Sequence, residues 1–264
     1  MRFFSRLNRF AKSIHPNSIR RVWQLTDGPI IICGCPRSGT TLLLAILAAH
    51  PEIQGIQAET RVFKRWSYSS RMLNRWYHNL LIFCHLIKFP IKKTARRWAE
   101  KTPQNVQYIE EILNEFKTSV KIIHIVRDGR DVITSRHPTQ PDRFFVSPEQ
   151  WAEIVSKGLR WIDHPQVLTI QYENLVQAYD TTVNEVMSFL GLNVSEEIAE
   201  YHKYTTIKAP KTLNDEIQPI SNRSIGKWTR EEYKDRTATF NTCKEAVEIL
   251  KKISGLRANV RSTL

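Results

Sequence analysis

The stretch "GPIIICGCPRSGTTLLLAILAAHP", residues 28–51, decides the fold. Ile30, Ile31 and Ile32 form a β-branched apolar run that suits a buried strand, and the run stops at Gly34. From Thr40 the residues are strong helix formers until Pro51 halts them. Between strand and helix, Gly34 and Gly39 stand in the spacing G-x-x-x-x-G. A strand that turns straight into a helix leaves the helix's first N–H groups unpaired and aimed at the turn. The helix dipole favours an anion at that point. Gly39 allows close approach of the backbone, Ser38, Thr40 and Thr41 add hydroxyls, and Arg37 adds a cation. The segment therefore reads as a cradle for a phosphate- or sulfate-sized anion.

Working outward, "VKIIHIVRD" (120–128) is a second buried strand. "DGRDVITSRH" opens a helix behind it, with Asp128 as N-cap and Asp131 at N3. "QVLTIQYENL" (166–175) is a third strand, and "YDTTVNEVMSFLGL" a helix that closes at Gly191. Strands alternating with helices predict an α/β fold: a single domain with a central parallel sheet flanked by helices, P-loop-like, over residues 29–264.

Residues 1–28 read as a basic amphipathic extension. It holds six Lys/Arg and no acid through residue 23, with Phe3, Phe4, Leu7, Phe10, Ala11 and Ile14 at helical spacing. Such a helix docks on its own domain or lies on a membrane surface; a transit peptide is a third reading. The most apolar run, residues 79–91, is broken by His85, Lys88 and Pro90 and is no membrane span. Cys33, Cys35, Cys84 and Cys243 form no C-x-x-C pair, so neither zinc nor a disulfide framework is expected. The expected location is cytoplasmic, with peripheral membrane contact through the N-terminal helix as the alternative to docking on the domain. Oligomeric state is not readable from the sequence.

The 264 residues carry a net charge of +13, which favours an anionic ligand. Residues 61–101 hold eleven Lys/Arg and one acid, Glu100, interleaved with Trp66, Tyr68, Trp76, Tyr77 and Trp98. Arg71, Arg75, His78, His85 and Lys88 fall on one helical face, and Trp66, Leu73, Trp76, Leu80, Cys84 and Ile87 on another. This predicts an amphipathic helix whose basic side borders an acceptor cleft. A second polar region, "PISNRSIGKWTREEY" (219–233), precedes a final helix.

The cradle lacks the lysine that follows the second glycine in nucleoside triphosphatases, where a strand-end Asp also holds magnesium. Here Thr40 and Thr41 follow Gly39, and the second strand ends in Arg127 before any acid. Cations in place of a metal-binding acid suit a sulfuryl donor. The motifs resemble the PAPS-dependent sulfotransferases, PAPS being 3′-phosphoadenosine 5′-phosphosulfate. "PRSGTT" (36–41) is similar to that family's 5′-phosphosulfate loop, which implies Arg37, Ser38, Gly39, Thr40 and Thr41 as donor-binding residues. "IVRDGRDVITS" (125–135) resembles its 3′-phosphate segment, in which Arg127 and Ser135, eight residues apart, would hold the phosphate. "YENLV" (172–176) implies that Tyr172 lies near the adenine, and "SFLGLNVSEE" (188–197) also recurs in the family. "SIGKW" (224–228) resembles the late loop that closes over the nucleotide, with Gly226, Lys227 and Arg223 as contacts.

Glu59-Thr60-Arg61 resembles the segment that supplies the catalytic base in tyrosylprotein sulfotransferases and their bacterial relatives, rather than the small-molecule cytosolic branch. "AEKTPQN" (99–105) resembles the stretch that gives a catalytic lysine, here Lys101; Thr102 reads as a helix N-cap with Pro103 at N1. The resemblance implies in-line transfer of a sulfuryl group from PAPS to a hydroxyl of an acceptor: a glycan, peptide tyrosine, lipid or small molecule. The cations of the 61–101 stretch suit an anionic one. Glu59 would act as base, Arg37 and Lys101 as charge stabilisers, with no metal. A P-loop kinase or NTPase is the alternative enzyme. A nucleic-acid binder is a rival of another class, disfavoured because the basic charge gathers near one pocket. A sulfotransferase fold without activity is the remaining alternative.

Overall fold

The computed structural model describes residues 14–64, 71–137, 139–208 and 217–261, with side chains not described at 71–77 and 256–261. Five strands form the central sheet: β1 (Ile30–Gly34), β2 (Ile53–Gly55), β3 (Arg97–Lys101), β4 (Lys121–Val126) and, after a two-stranded ribbon of β5 (Arg136–His137) and β6 (Gln140–Phe144), β7 (Val167–Gln171). Their order is β2-β3-β1-β4-β7. Every neighbouring pair in the sheet is parallel. All five carboxyl ends therefore lie along one edge. The order reverses between β1 and β4, where open α/β sheets place their ligands.

Both faces of the sheet are covered, which is why its central strands read as continuous apolar runs. On one face, helix α1 (Thr40–Leu47) packs with Leu175, Val183, Val186 and Leu190. On the other, Phe63, Ile82, Leu86, Ile109 and Ile112 close over Ile31 and Ile122. A third cluster, centred on Trp151 and Phe240, joins helix Pro148–Leu159 to the last two helices, Lys234–Thr242 and Lys244–Arg261. α1 ends where Lys92 Nζ donates to the carbonyls of Ala48 and His50 at 2.5 and 2.8 Å. That cation at a helix C-terminus satisfies otherwise orphaned acceptors.

Residues 15–24 dock on the segment before β3. The amide of His15 donates to Ile87 O at 2.9 Å, Ser18 Oγ to Phe89 O at 2.6 Å and Gln24 Nε2 to Lys92 O at 2.7 Å. The helical spacing of Phe3 to Ala11 lies outside the described residues.

The expected basic helix is corrected in extent and in face. It spans Arg71–Leu86, and Arg97–Lys101 is a sheet strand. His78, placed on the basic face, is buried, while Leu80, placed on the apolar face, is 40% exposed. The stripe that meets the core is His78–Ile82–Leu86, an i, i+4, i+8 row. The sheet dictates which row turns inward, and the aromatic spacing does not report it. Trp66 and Tyr68 lie outside the described residues.

Candidate active site

β1 delivers the chain into the cradle. Gly34 has φ +151, and a Cβ there would lie 2.3 Å from Ile125 O. The loop tightens through a bond from Ser38 N to Cys35 O at 3.1 Å, and Arg37 at its tip holds φ +74. Positive φ in a non-glycine residue stores strain, and such strain gathers at ligand sites. Gly39, at φ +93, is the N-cap of α1, and Thr40 and Thr41 open the first turn. Ser38 is fully buried, yet its Oγ makes no hydrogen bond among the described residues. A buried hydroxyl without a partner, beside free helix N–H groups, fits an anion seated in the loop.

β4 ends one residue before Arg127, which is 6% exposed. Its Nη1 donates to Arg37 O at 2.9 Å and its Nη2 to Ser224 O. Its guanidinium lies over the Tyr172 ring, 4.4 Å from the centroid. Its Nε makes no hydrogen bond among the described residues. Tyr172 thus braces Arg127 and walls the cradle, because a Cβ on Gly39 would come within 2.4 Å of its ring.

Asp128 caps its helix as expected, its side chain accepting from Arg130 N. Asp131, expected only to complement the helix start, does more. Its carboxylate accepts from Gly226 N at 2.8 Å and Trp228 N at 3.2 Å, and lies 4.0 Å from Arg127. It ties the late loop to the end of β4. In that loop Lys227 Nζ donates to Ser135 Oγ at 3.0 Å. Burial, then the neighbouring Arg127, push Lys227 down to about 8, with Asp131 opposing. Arg223 is exposed on the turn Asn222–Ser224, so Lys227 is the cation that the structure brings to Ser135.

Glu59 follows β2 by four residues, and Lys101 is the last residue of β3. Their side chains meet, with Nζ 2.7 Å from Oε1. Arg61 Nη2 lies 3.5 Å from the other carboxylate oxygen. Thr102 precedes a 3₁₀ turn, Pro103–Tyr108, and its side chain does not cap it. The Thr102 hydroxyl donates instead to Glu100 Oε1 at 2.5 Å. Thr102 and Pro103 thus hold the expected N-cap and N1 positions, while the hydroxyl serves a fully buried carboxylate two residues upstream. Glu100 is the site feature that sequence reading missed. Its only signal was being the sole acid in a basic stretch.

Five parallel strands thus bring an anion cradle, a buried arginine, a lysine–serine pair and a carboxylate–lysine pair to one edge of the sheet. Such an edge can hold a ligand with two anionic ends, beside a carboxylate paired with a cation. Among the described residues there is no cluster of three metal-ligating side chains.

Comparison with known proteins narrows the class. The Sulfotransferase family pattern matches residues 29–196, and the chain belongs to that family. It is a sulfotransferase, which moves a sulfuryl group to a hydroxyl, and the kinase alternative gives way. The protein-tyrosine sulfotransferase of Drosophila melanogaster is 25% identical over 75% of this chain and 46% of its own length. Protein-tyrosine sulfotransferase 2 of Gallus gallus is 24% identical over 75% of this chain and 62% of its own. The chain therefore spans about half to three fifths of these relatives. A mouse sulfotransferase complexed with PAP shares the fold, with a TM-score of 0.52 and 15% identity over 92% of this chain and 95% of that one. No helix among the described residues is long and apolar enough to cross a membrane.

Proposed function

We propose that the chain transfers the sulfuryl group of PAPS to the hydroxyl of a tyrosine in a peptide. The relatives named as protein-tyrosine sulfotransferases support this acceptor, and the PAP-bound mouse enzyme supports this donor. The observation that carries the reading is the pair of anion seats flanking Arg127. One is the cradle with the unpartnered Ser38 hydroxyl, and the other is Ser135 with Lys227. A nucleotide with a sulfated 5′ end and a 3′-phosphate has anions to match both.

In this reading Arg37 and the α1 N-terminus hold the 5′-phosphosulfate, while Arg127, Ser135 and Lys227 hold the 3′-phosphate. The acceptor oxygen attacks sulfur as the bond from sulfur to the bridging oxygen breaks. Glu59 takes the hydroxyl proton, a role worth about 10²–10⁴ in rate. Lys101 and Arg37 stabilise the charge that develops on the leaving oxygen and the sulfuryl oxygens. PAP and the sulfated acceptor leave.

The test is incubation with isotopically labelled PAPS and a panel of tyrosine peptides, glycans, lipids and phenols. Label on tyrosine peptides alone supports the acceptor. Label on another class replaces the acceptor and keeps the donor. PAP that neither binds nor competes overturns the donor assignment.

A further inference from the structure

We propose that Glu100 is a positioning residue of the active site: its buried carboxylate holds the Glu59–Thr60–Arg61 turn against the end of β3 so that Glu59 meets Lys101. This rests on the reading of Glu59 as base. The contacts join two short segments, residues 59–61 and 100–102. Glu59 meets Lys101 at 2.7 Å; Thr60 meets Glu100 through its amide at 3.1 Å and its hydroxyl at 2.9 Å; Arg61 N donates to Thr102 Oγ1 at 3.3 Å. The three residues of the turn are thus bound by the three residues Glu100 to Thr102 where β3 ends.

Glu100 is the hub. Its Oε1 accepts from Thr60 N, Thr60 Oγ1 and Thr102 Oγ1, and its Oε2 from Asn105 Nδ2 at 2.7 Å. It is fully buried, and these partners are all neutral donors. Burial of a carboxylate is costly. It pushes the Glu100 pKa up, while the bonds from Thr102, Thr60 and Asn105 pull it down. A fold that needed only stability would place an apolar side chain here.

The turn needs such a holder. Arg61 sits at φ +51, a strained conformation that relaxes unless its surroundings fix it. The Glu59–Lys101 pair cannot fix it alone, because it holds only the Glu59 side chain, which is 31% exposed, and not the backbone of the turn. The buried bonds through Glu100 supply the rigidity, and the reactive carboxylate inherits its position from them.

The experiment compares full-length wild type with Glu100→Ala, Glu100→Gln and Thr60→Val. It reads kcat, KM for PAPS, PAP affinity by calorimetry and amide exchange across residues 59–62. Misplacement of a base lowers turnover by about tenfold to a hundredfold. We expect that loss of kcat in Glu100→Ala, with PAP affinity within about twofold and faster exchange at Arg61. Glu100→Gln keeps Oε1 as acceptor for three donors, and the Asn105 amide can turn its oxygen to the new NH₂. We expect it to restore kcat to within about threefold of wild type.

Wild-type kcat in Glu100→Ala overturns the proposal. So does a Gln variant as impaired as Ala, because the role would then be charge and not geometry. A loss of PAP affinity parallel to kcat also overturns it. If Glu100→Ala does not fold, Thr60→Val decides: reduced kcat with intact PAP binding supports the proposal, and wild-type kcat overturns it. Glu59→Gln, measured alongside, tests the base separately. Retained turnover there rejects Glu59 as base, while exchange at Arg61 in Glu100→Ala still reports whether Glu100 holds the turn.

Discussion

Lys101 holds Glu59: the ammonium lies 2.7 Å from the carboxylate, at the end of one strand and four residues beyond its neighbour. Lys101 is 13% exposed and Arg61, the other cation on Glu59, is 67% exposed. The less exposed cation therefore dominates at Glu59, and the more exposed one is screened by solvent. Glu59→Gln should lower kcat by about 10²–10⁴, and Lys101→Met by about 10²–10³. PAP affinity should stay near wild type in the Glu59 variant. Arg61→Ala should cost less than about tenfold, since its pair is exposed. Turnover of labelled PAPS together with calorimetry checks the set, and full turnover in Glu59→Gln removes the base.

Lys227 gives nucleotide binding a pH dependence. Burial and Arg127 bring it from an ordinary 10.5 down to about 8. Below pH 8 the ammonium is already present for an anion. Above pH 8 the free protein has lost that proton and must take one up on binding. PAP affinity should therefore be flat from pH 6 to about 7.5 and decline above about 8, with proton uptake visible as a buffer-dependent binding enthalpy. In the free protein the sign is opposite. A lysine depressed in the folded state contributes more stability as pH rises from 8 towards 10.5, because the unfolded chain binds the extra proton. Lys227→Met should abolish both trends; an unchanged pH profile in that variant would assign them to another group.

Asp131 should act as the latch of the late loop. It accepts two backbone N–H groups, from Gly226 and Trp228, and neighbours Arg127. Its removal unties the loop and leaves Arg127 without its buried counter-charge. Asp131→Ala should destabilise the fold by about 3–5 kcal/mol. It should also speed exchange of the Gly226 and Trp228 amides and weaken PAP binding. Melting by calorimetry and hydrogen exchange test it; unchanged exchange at those two amides would mean that the loop is held elsewhere.

The legible and illegible parts of the fold differ for physical reasons. β1 and β4 announce themselves because both faces of a central parallel strand are buried and Ile and Val fill them, and β7, at the edge, still shows a short apolar β-branched run. β3 does not, since "RWAEK" carries charge at both ends and a buried glutamate inside. β2 has only three residues, too few for a periodicity. The cradle and Arg127 were readable because their chemistry is local: glycines at fixed spacing, then a cation at a strand tip. The hub at Glu100 was not, because its partners sit at residues 60, 102 and 105 and only the register of β2 on β3 brings the first to the others. The inward face of the 71–86 helix was likewise set by the sheet beneath it.

Gly39 tests the cradle itself. It combines φ +93 with a Tyr172 ring atom 2.4 Å from where a Cβ would stand. An alanine there must either leave its left-handed conformation, which tilts the first turn of α1, or push Tyr172 from beneath Arg127. Strain and overpacking each cost about 1–3 kcal/mol. The Tyr172 ring is braced by Arg127, so displacing it also moves the guanidinium. Gly39→Ala should therefore lower the melting temperature and weaken PAP binding at both anionic ends of the nucleotide. Adenosine 5′-phosphosulfate, which lacks the 3′-phosphate, separates the two effects. If Gly39→Ala weakens it and PAP by the same factor, the damage is confined to the 5′ seat. A larger loss for PAP means that Tyr172 and Arg127 have moved together.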